Sequence, residues 1–267
     1  MNNFFEDINK ATAEYPYIKI TNYDMDYVNH IHEETEVVYV LEGKLGVIVD
    51  SNDMMLYDGD ICIITPGQVH NLVATDYNKV CIMKLYNYLD LSGLKLHSNI
   101  VVREDEAYNQ IKSFVDNIIS EDFHRHIGYK SAVNIATWQI QLFVLRNIPY
   151  SKISNDEIKK ANNKIRLVNN VNIYLEKDFP KSVSLEDAAK HCGYTKYYFS
   201  HYFKDTTGIG FWEYYSFFRI KKAEFMLGNS NNSITQIAQD CGFSSLRSFN
   251  RAFQKYFNCT PREYRHK

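Results

Sequence analysis

Four polar side chains in the first quarter of the chain have types and spacing suited to a binding or metal site. His30 and His32 are separated by one residue, Glu36 follows four residues later, and His70 comes shortly after the pair Pro66-Gly67. Because alternate residues of a β-strand point to the same side, His30 and His32 would face one side of a strand. If that side is the interior of a barrel, the two imidazoles converge with Glu36 and His70.

Several uses of such a cluster remain open. Three imidazoles and a carboxylate are ligands that zinc, manganese, iron or nickel accept, so a divalent transition metal is a candidate cofactor. Imidazoles also hydrogen-bond the hydroxyl or carboxylate groups of small molecules, and buried histidines can simply complete a polar core. We favour contact with a small-molecule effector, and nothing in the sequence makes a cofactor certain.

A repeated motif near the C-terminus suits a different kind of binding. The segment Ser184-Leu185-x-x-Ala188-Ala189-x-x-Cys192-Gly193-Tyr194 returns as Ser233-Ile234-x-x-Ile237-Ala238-x-x-Cys241-Gly242-Phe243. In each copy a serine that can cap a helix precedes a short helix, a glycine supplies a turn, and a second amphipathic helix follows. The pattern predicts two helix-turn-helix units, at about 184–205 and 233–256.

The second helix of each unit has an apolar face and a polar face. Phe199 and Phe203 in the first copy, and Phe249 and Phe253 in the second, are four residues apart and should face the core. Polar side chains on the opposite face suit the base edges of a DNA major groove. A solvated helix face explains one polar stripe, but two stripes at equivalent positions favour DNA binding. The predicted DNA-binding residues are Lys196, Tyr197, Ser200, His201, Lys204, Leu246, Arg247, Asn250, Arg251 and Lys255.

From about Ile165 to Arg265 the chain resembles the AraC/XylS family of bacterial transcription regulators. The resemblance rests on both repeat copies, on Arg219 in the connecting helix and on Thr260-Pro261-x-x-Tyr264-Arg265. It implies double-stranded promoter DNA as a partner, with RNA polymerase as a further candidate. The chain departs from the family at Asn258, where glycine is usual; asparagine also tolerates the left-handed conformation at a helix end.

The residues around the histidine cluster are predicted to form β-strands. Short apolar or alternating runs lie at 18–23, 37–41, 45–49, 61–64 and 80–86, with turn residues at 42–44 and 57–60. The motif His30-x-His32-x-x-x-Glu36-x6-Gly43, followed by Pro66-Gly67-x-x-His70, resembles the two motifs of cupins. The second motif is one residue shorter than usual, and no glycine precedes His30. The resemblance covers about 15–88 and implies a small β-barrel.

Two helices and a linker are predicted between the strands and the repeat. The helices should span about 104–126 and 130–146, and residues 151–163 are predicted as the linker. The apolar stripe of the first helix, which includes Ile111, Val115 and Ile118, fits a homodimer seam and a cover for the barrel equally well. We therefore expect an α+β chain, with a cupin-like effector-binding and dimerisation domain at 1–150 and an all-α DNA-binding domain at 164–267.

Charge divides the chain at nearly the same place. Residues 1–159 contain 13 Lys and Arg against 23 Asp and Glu, whereas residues 160–267 contain 17 against 9. A basic C-terminal part suits a polyanion, and an acidic N-terminal part argues against nucleic acid or an anionic membrane there. No stretch approaches the ~20 apolar residues of a membrane helix, and the first residues do not have the pattern of a secretory signal. We expect a cytoplasmic protein without a membrane partner.

Two function classes follow from these features. The first is a transcription regulator, not an enzyme, that responds to a small molecule in the cupin-like domain; a sugar is the candidate that the family suggests. The alternative is a metal-dependent cupin enzyme with a helical appendage. An enzyme has no need of a duplicated helix-turn-helix, so the regulator is favoured.

Overall fold

The chain folds into two compact units that differ in secondary structure. The computed structural model describes residues 11–23, 28–75, 77–101, 103, 106–179 and 183–266. One unit contains most of the described chain up to Ile165, and the other contains residues from Arg166 onward with the short segments 28–30 and 71–73. Strands, two helices and the start of a third build the first, and the second consists mainly of helices, which confirms the predicted α+β class. No helix in the described ranges is long and apolar enough to span a membrane.

An antiparallel sheet with the order β1-β6-β2-β4-β8 forms the centre of the N-terminal unit. Strands β3 and β5 also pair with β2, and β7 pairs with β9 apart from this sheet. The strands are β1 Tyr17–Thr21, β2 Thr35–Val49, β3 Asn52–Tyr57, β4 Ile61–Ile64, β5 His70–Val73, β6 Asn78–Leu85, β7 Leu94–Leu96, β8 Ile100–Val101 and β9 Tyr150–Lys152.

Strand β2 is continuous where the sequence predicted two strands and a turn at 42–44. Its pairing with β6 shifts register between Val40 and Glu42, so the chain bulges and does not reverse. Gly43 has φ of +79°, and a Cβ there would lie 2.3 Å from the Tyr77 carbonyl oxygen. Glycine is therefore needed at the bulge, beyond which β2 pairs with β3.

Alternation divides the side chains of the sheet between two faces. Val37 and Ile63 belong to a core shared with the helices that follow the strands. Their neighbours Val38 and Cys62 therefore face the opposite side, together with Glu36, and all three are buried. The cluster of polar residues thus belongs to the face of the sheet that is turned away from the helices.

Helices α1 Glu106–His124 and α2 Tyr129–Asn147 cover the first face of the sheet. Ile111, Val115 and Ile118 are 0 % exposed and lie in the same core as the strand residues. Of the two alternatives left open for this stripe, the structure supports a cover for the sheet and not a dimer seam.

Residues 151–163, predicted as a linker, are ordered as the end of β9 and the start of a long helix. The helix begins because Ser154 and Glu157 cap it reciprocally: Glu157 Oε2 accepts from Ser154 N at 2.8 Å, and Ser154 Oγ accepts from Glu157 N at 3.3 Å. The remaining helices are α3 Asn155–Asp178, α4 Leu185–His191, α5 Lys196–Thr207, α6 Phe211–Asn229, α7 Ile234–Asp240, α8 Leu246–Phe257 and α9 Pro261–Arg265.

The two repeat copies have equivalent local structures in the C-terminal unit. Ser184 caps α4 and Ser233 caps α7, each through a hydrogen bond from the backbone three residues later. Gly193 and Gly242 both have positive φ, 77° and 72°, as the turn requires. Asn258 ends α8 with φ of 51°, so asparagine adopts the left-handed conformation at this helix end, as expected.

Candidate sensing site and nucleic-acid interface

The four polar residues singled out in the N-terminal sequence come together. One potential ligand atom from each of His30, His32, Glu36 and His70 lies within 4.8 Å of the other three. Glu36 is near the start of β2, and His70 is the first residue of β5, which pairs with β2. Glu36 and His70 are each 1 % exposed. Glu36 and His70 are therefore enclosed among apolar strand residues, whereas His30 and His32 are only partly buried.

One carboxylate oxygen lies at the centre of the contacts. Glu36 Oε2 is 3.1 Å from His32 Nε2 and 3.7 Å from His70 Nε2. The His32 and His70 rings meet edge to face, with centroids 4.8 Å apart. The other oxygen, Glu36 Oε1, is buried without a hydrogen-bond partner among the described residues. The site therefore retains capacity to accept a hydrogen bond or to bind a cation.

The three imidazoles share one orientation. The Nδ1 atoms of His30, His32 and His70 lie 3.2, 3.1 and 3.0 Å from backbone carbonyl oxygens. Because a carbonyl only accepts, we assign the ring proton to Nδ1 of His30 and His70, which leaves their Nε2 with a lone pair. His32 has an acceptor at both nitrogens, since Glu36 Oε2 lies 3.1 Å from its Nε2, so the carboxylate competes with the carbonyl for its single proton. Metal-binding histidines are commonly oriented by such an outer hydrogen bond. The same orientation lets Nε2 accept a hydrogen bond from a ligand hydroxyl.

The ionisation states of the cluster follow from burial and neighbouring charge. Burial lowers the pKa of His32 to about 3, and the Lys84 charge acts in the same direction. Burial alone would raise the pKa of Glu36, but contacts with His32 and His70 and the Lys84 charge hold it well below its usual range. At neutral pH, Glu36 is therefore an anion beside a neutral His32.

Lys84 is a neighbour of the cluster that sequence patterns did not indicate. It lies on β6 directly opposite Glu36 in the antiparallel pairing. Opposed residues share one face of a sheet, with Cβ atoms about 5 Å apart. The only local signal was a lysine in the apolar run of β6, and the register that places it beside Glu36 is a long-range property.

The second helix of each helix-turn-helix unit presents its polar face to solvent. Phe199 and Phe203 in α5, and Phe249 and Phe253 in α8, are 0 % exposed, as predicted. The side chains predicted to bind DNA are all exposed: Lys196, Tyr197, Ser200, His201, Lys204, Leu246, Arg247, Asn250, Arg251 and Lys255.

Some of these exposed side chains already have neighbours. Lys255 forms an ion pair with Glu213 of α6, and Lys196 Nζ lies 3.9 Å from Glu186 Oε2. Both pairs are exposed and therefore weak, so either lysine can exchange its carboxylate for a phosphate. Arg247, Arg251 and Lys255 line one open cleft together with Ser216, Ser245, Ser248 and Ala252.

Arg219 of the connecting helix α6 positions the second helix-turn-helix unit. Its Nη1 donates to the Gly242 carbonyl at 3.1 Å, and its guanidinium lies 4.2 Å from the Phe243 ring centroid. The turn of the second unit is thereby fixed to α6, and with it the start of α8.

Comparisons with known proteins agree with both halves of this description. Residues 188–267 match a family described as a helix-turn-helix domain, and residues 25–85 match one described as a cupin domain. An uncharacterized HTH-type transcriptional regulator of Staphylococcus aureus strain COL is 24 % identical over 85 % of this chain. The chain spans 31 % of that protein's length. The probable transcriptional regulator LumQ of Photobacterium leiognathi is 23 % identical, with 93 % of this chain and 96 % of LumQ covered.

Solved structures of one other protein share the fold along nearly the whole chain. An apo variant of ToxT from Vibrio cholerae superposes with a TM-score of 0.59 at 13 % identity, covering 96 % of this chain and 98 % of ToxT. ToxT with a bound unsaturated fatty acid gives a TM-score of 0.57 at 15 % identity, covering 96 % of each chain. At these identities the similarity concerns the fold alone.

Proposed function

We propose that this chain, which belongs to the AraC family of helix-turn-helix transcription regulators and carries a cupin domain, binds promoter DNA in response to a small molecule. DNA binding is assigned to the exposed faces of α5 and α8, and sensing to the cluster around Glu36. The observation that carries the sensing role is that Glu36 Oε1 is buried without a hydrogen-bond partner among the described residues, beside the rings of His32 and His70. Burying polar groups is costly unless they have partners, so a bound molecule that supplies partners stabilises this arrangement.

The proposed effector carries hydroxyl groups, as a sugar does. A hydroxyl can donate to a neutral imidazole Nε2 or to Glu36 Oε1, and it can accept from the Lys84 ammonium. A carboxylate-bearing effector is the second candidate, because ToxT has been solved with an unsaturated fatty acid. Its carboxylate would pair with Lys84 but would be repelled by the Glu36 anion, so we favour the hydroxyl-bearing molecule.

The test compares wild type with the double variant His30→Ala/His32→Ala. Binding of monosaccharides and of an unsaturated fatty acid is measured by calorimetry, and promoter DNA binding by mobility shift with and without each compound. We expect the double variant to bind DNA as wild type does but to lose the response to the sugar. His97→Ala, at an exposed histidine away from the cluster, should respond normally. An unchanged response in the double variant would place the sensing site elsewhere.

A divalent transition metal is a second candidate occupant of the cluster, favoured by the shared imidazole orientation. His30, His32 and His70 would bind it through Nε2 and Glu36 through Oε2, and their mutual separations are compatible with one coordination sphere. The metal would supply a Lewis acid for an effector oxygen; the nearby Lys84 charge opposes its binding. Elemental analysis decides: stoichiometric metal in wild type, absent from the double variant, would make the cluster a metal site.

The regulator is proposed to act without catalysis and as a homodimer, with RNA polymerase as a further partner. The metal-dependent enzyme alternative requires turnover of a compound that binds the cluster. Incubation of the purified protein with each bound compound, followed by mass spectrometry, would reveal such turnover, and we expect each compound to be recovered unchanged.

A further inference from the structure

The recognition helices α5 and α8 have the same geometry but different surface chemistry. Both have twelve residues and the same order of buried and exposed positions. Tyr197 and Arg247 are each the second residue of their helix, and His201 and Arg251 are each one turn later. In helix-turn-helix proteins the N-terminal residues of this helix contact base edges. Equivalent positions therefore offer DNA aromatic rings from one unit and guanidinium groups from the other.

The second unit has the chemistry that selects guanine. Arg247 and Arg251 are exposed, lie one turn apart and line the same open cleft. A guanidinium donates two parallel hydrogen bonds to guanine O6 and N7, the commonest base-specific contact in the major groove. The unit 233–256 contains three basic residues and one acidic residue, so its surface also favours phosphates.

The first unit has the chemistry that selects thymine. Tyr197 is 77 % exposed, and its ring lies against the His201 ring with centroids 4.5 Å apart. The two rings form an aromatic surface where the second helix-turn-helix unit has two arginines, and ring carbons can contact the methyl group that only thymine presents in the major groove. The unit 184–205 has three basic and three acidic residues, so it attracts phosphates less strongly.

We infer that the two units recognise chemically different DNA segments: the Arg247/Arg251 unit a guanine-containing segment, and the Tyr197/His201 unit a segment marked by thymine methyl groups. The inference rests on the proposed DNA-binding function and specifies its target. The operator is consequently asymmetric within each bound chain. The Arg247/Arg251 unit supplies most of the salt-dependent affinity. The Tyr197/His201 unit supplies a preference for thymine over other bases that salt affects little.

The test begins by selecting bound duplexes from a random pool with the full-length chain. The selected site should contain a guanine whose replacement lowers wild-type affinity about 5- to 150-fold but hardly affects Arg247→Ala. It should also contain thymines in a separate segment. Replacing these thymines by uracil removes only the methyl groups and should lower wild-type affinity about fourfold per contacted methyl. The same uracil duplex and its thymine parent should bind Tyr197→Ala equally.

Two variants of Tyr197 distinguish the contribution of its aromatic ring to binding from that of its hydroxyl group. Tyr197→Phe keeps the aromatic ring and should retain the preference for thymine over uracil. An equal loss in Tyr197→Phe and Tyr197→Ala would assign the contact to the hydroxyl and overturn the thymine assignment. Uracil duplexes that bind wild type as tightly as thymine duplexes overturn it without any variant. A chain that selects no duplex at all would contradict the proposed DNA-binding function itself.

Discussion

At the scale of single residues, the cluster around Glu36 combines burial with opposed electrostatic effects. Glu36 remains ionised because His32, His70 and Lys84 outweigh the cost of burying its charge. His32 remains neutral because burial outweighs its contact with Glu36. Both states bind fewer protons than the same groups in the unfolded chain, so the stability of the N-terminal unit depends on pH.

We predict that the N-terminal unit loses stability as pH falls below about 6.5, the ordinary pKa of histidine. Between that value and the pKa of about 3 for His32 in the folded chain, the unfolded chain binds a proton that the folded chain excludes. This group alone removes up to about 1.4 kcal/mol of stability for each pH unit. The lowered pKa of Glu36 adds a loss in the same direction at more acidic pH. Urea unfolding with a metal chelator at pH 7, 6 and 5 measures the slope.

The variant His32→Asn should flatten this slope between pH 6.5 and 5, because asparagine does not titrate. His97→Asn changes an exposed histidine and should keep the wild-type slope. A wild-type slope in His32→Asn would show that another group causes the acid sensitivity.

At the scale of elements, local patterns predicted the repeat well. Ser184 and Ser233 cap helices, Gly193 and Gly242 make turns, and these signals act within a few residues. The continuous course of β2 could not be predicted in this way. Gly43 in a polar triplet is typical of a hairpin turn, and only pairing with β6 shows that it is a bulge.

The contacts made by the apolar stripe of α1 also could not be predicted from local sequence patterns. Periodicity identified Ile111, Val115 and Ile118 as one face but could not say what covers it, and the structure shows that the sheet and α2 do. A homodimer must therefore use another surface. On α2, Ile135, Trp138 and Leu142 are 60, 45 and 37 % exposed.

We predict that a second copy of the chain covers this exposed face of α2. The three residues are spaced i, i+3 and i+7, the spacing with which helices interlock, and the same face on a second copy is self-complementary about a two-fold axis. Ile135→Glu/Leu142→Glu should give a soluble monomer by light scattering, with weaker binding to paired DNA sites. Gln110→Glu, at an exposed polar position of α1, should stay dimeric.

A buried control distinguishes association from folding. Ile111→Glu places a charge where the wild-type side chain is 0 % exposed and should give unfolded or insoluble protein. A wild type that is monomeric at micromolar concentrations, or a double variant that stays dimeric, would exclude the α2 face as the seam.

At the scale of the whole molecule, charge and fold divide the chain at nearly the same place. The repeat and the charge imbalance are visible in the sequence, which is why the all-α unit and its basic character could be predicted. The boundary between the two units could not be predicted as accurately, since polar residues near 151–163 are equally typical of a linker and of the exposed first turns of α3. Lys84 was also beyond local patterns, because it reaches Glu36 only through the register of β6 on β2.

The acidic N-terminal residues should weaken DNA binding by electrostatic repulsion. Residues 1–159 carry ten more acidic than basic residues, and DNA is a polyanion, so the N-terminal unit should weaken non-specific binding without touching DNA. A fragment 154–267, which keeps the cap of α3, should bind random-sequence duplex several-fold more tightly than the full chain at about 50 mM salt. The difference should disappear near 300 mM salt, where the Debye length is only about 6 Å. The affinity of the fragment should therefore decline more steeply with salt than that of the full chain, on a specific site as on random duplex, because repulsion by the N-terminal unit opposes binding only at low salt. Fluorescence anisotropy over a salt series measures the affinity of each protein for DNA and its decline with salt. A steeper decline for the full chain than for the fragment would mean that the N-terminal unit contacts phosphates itself.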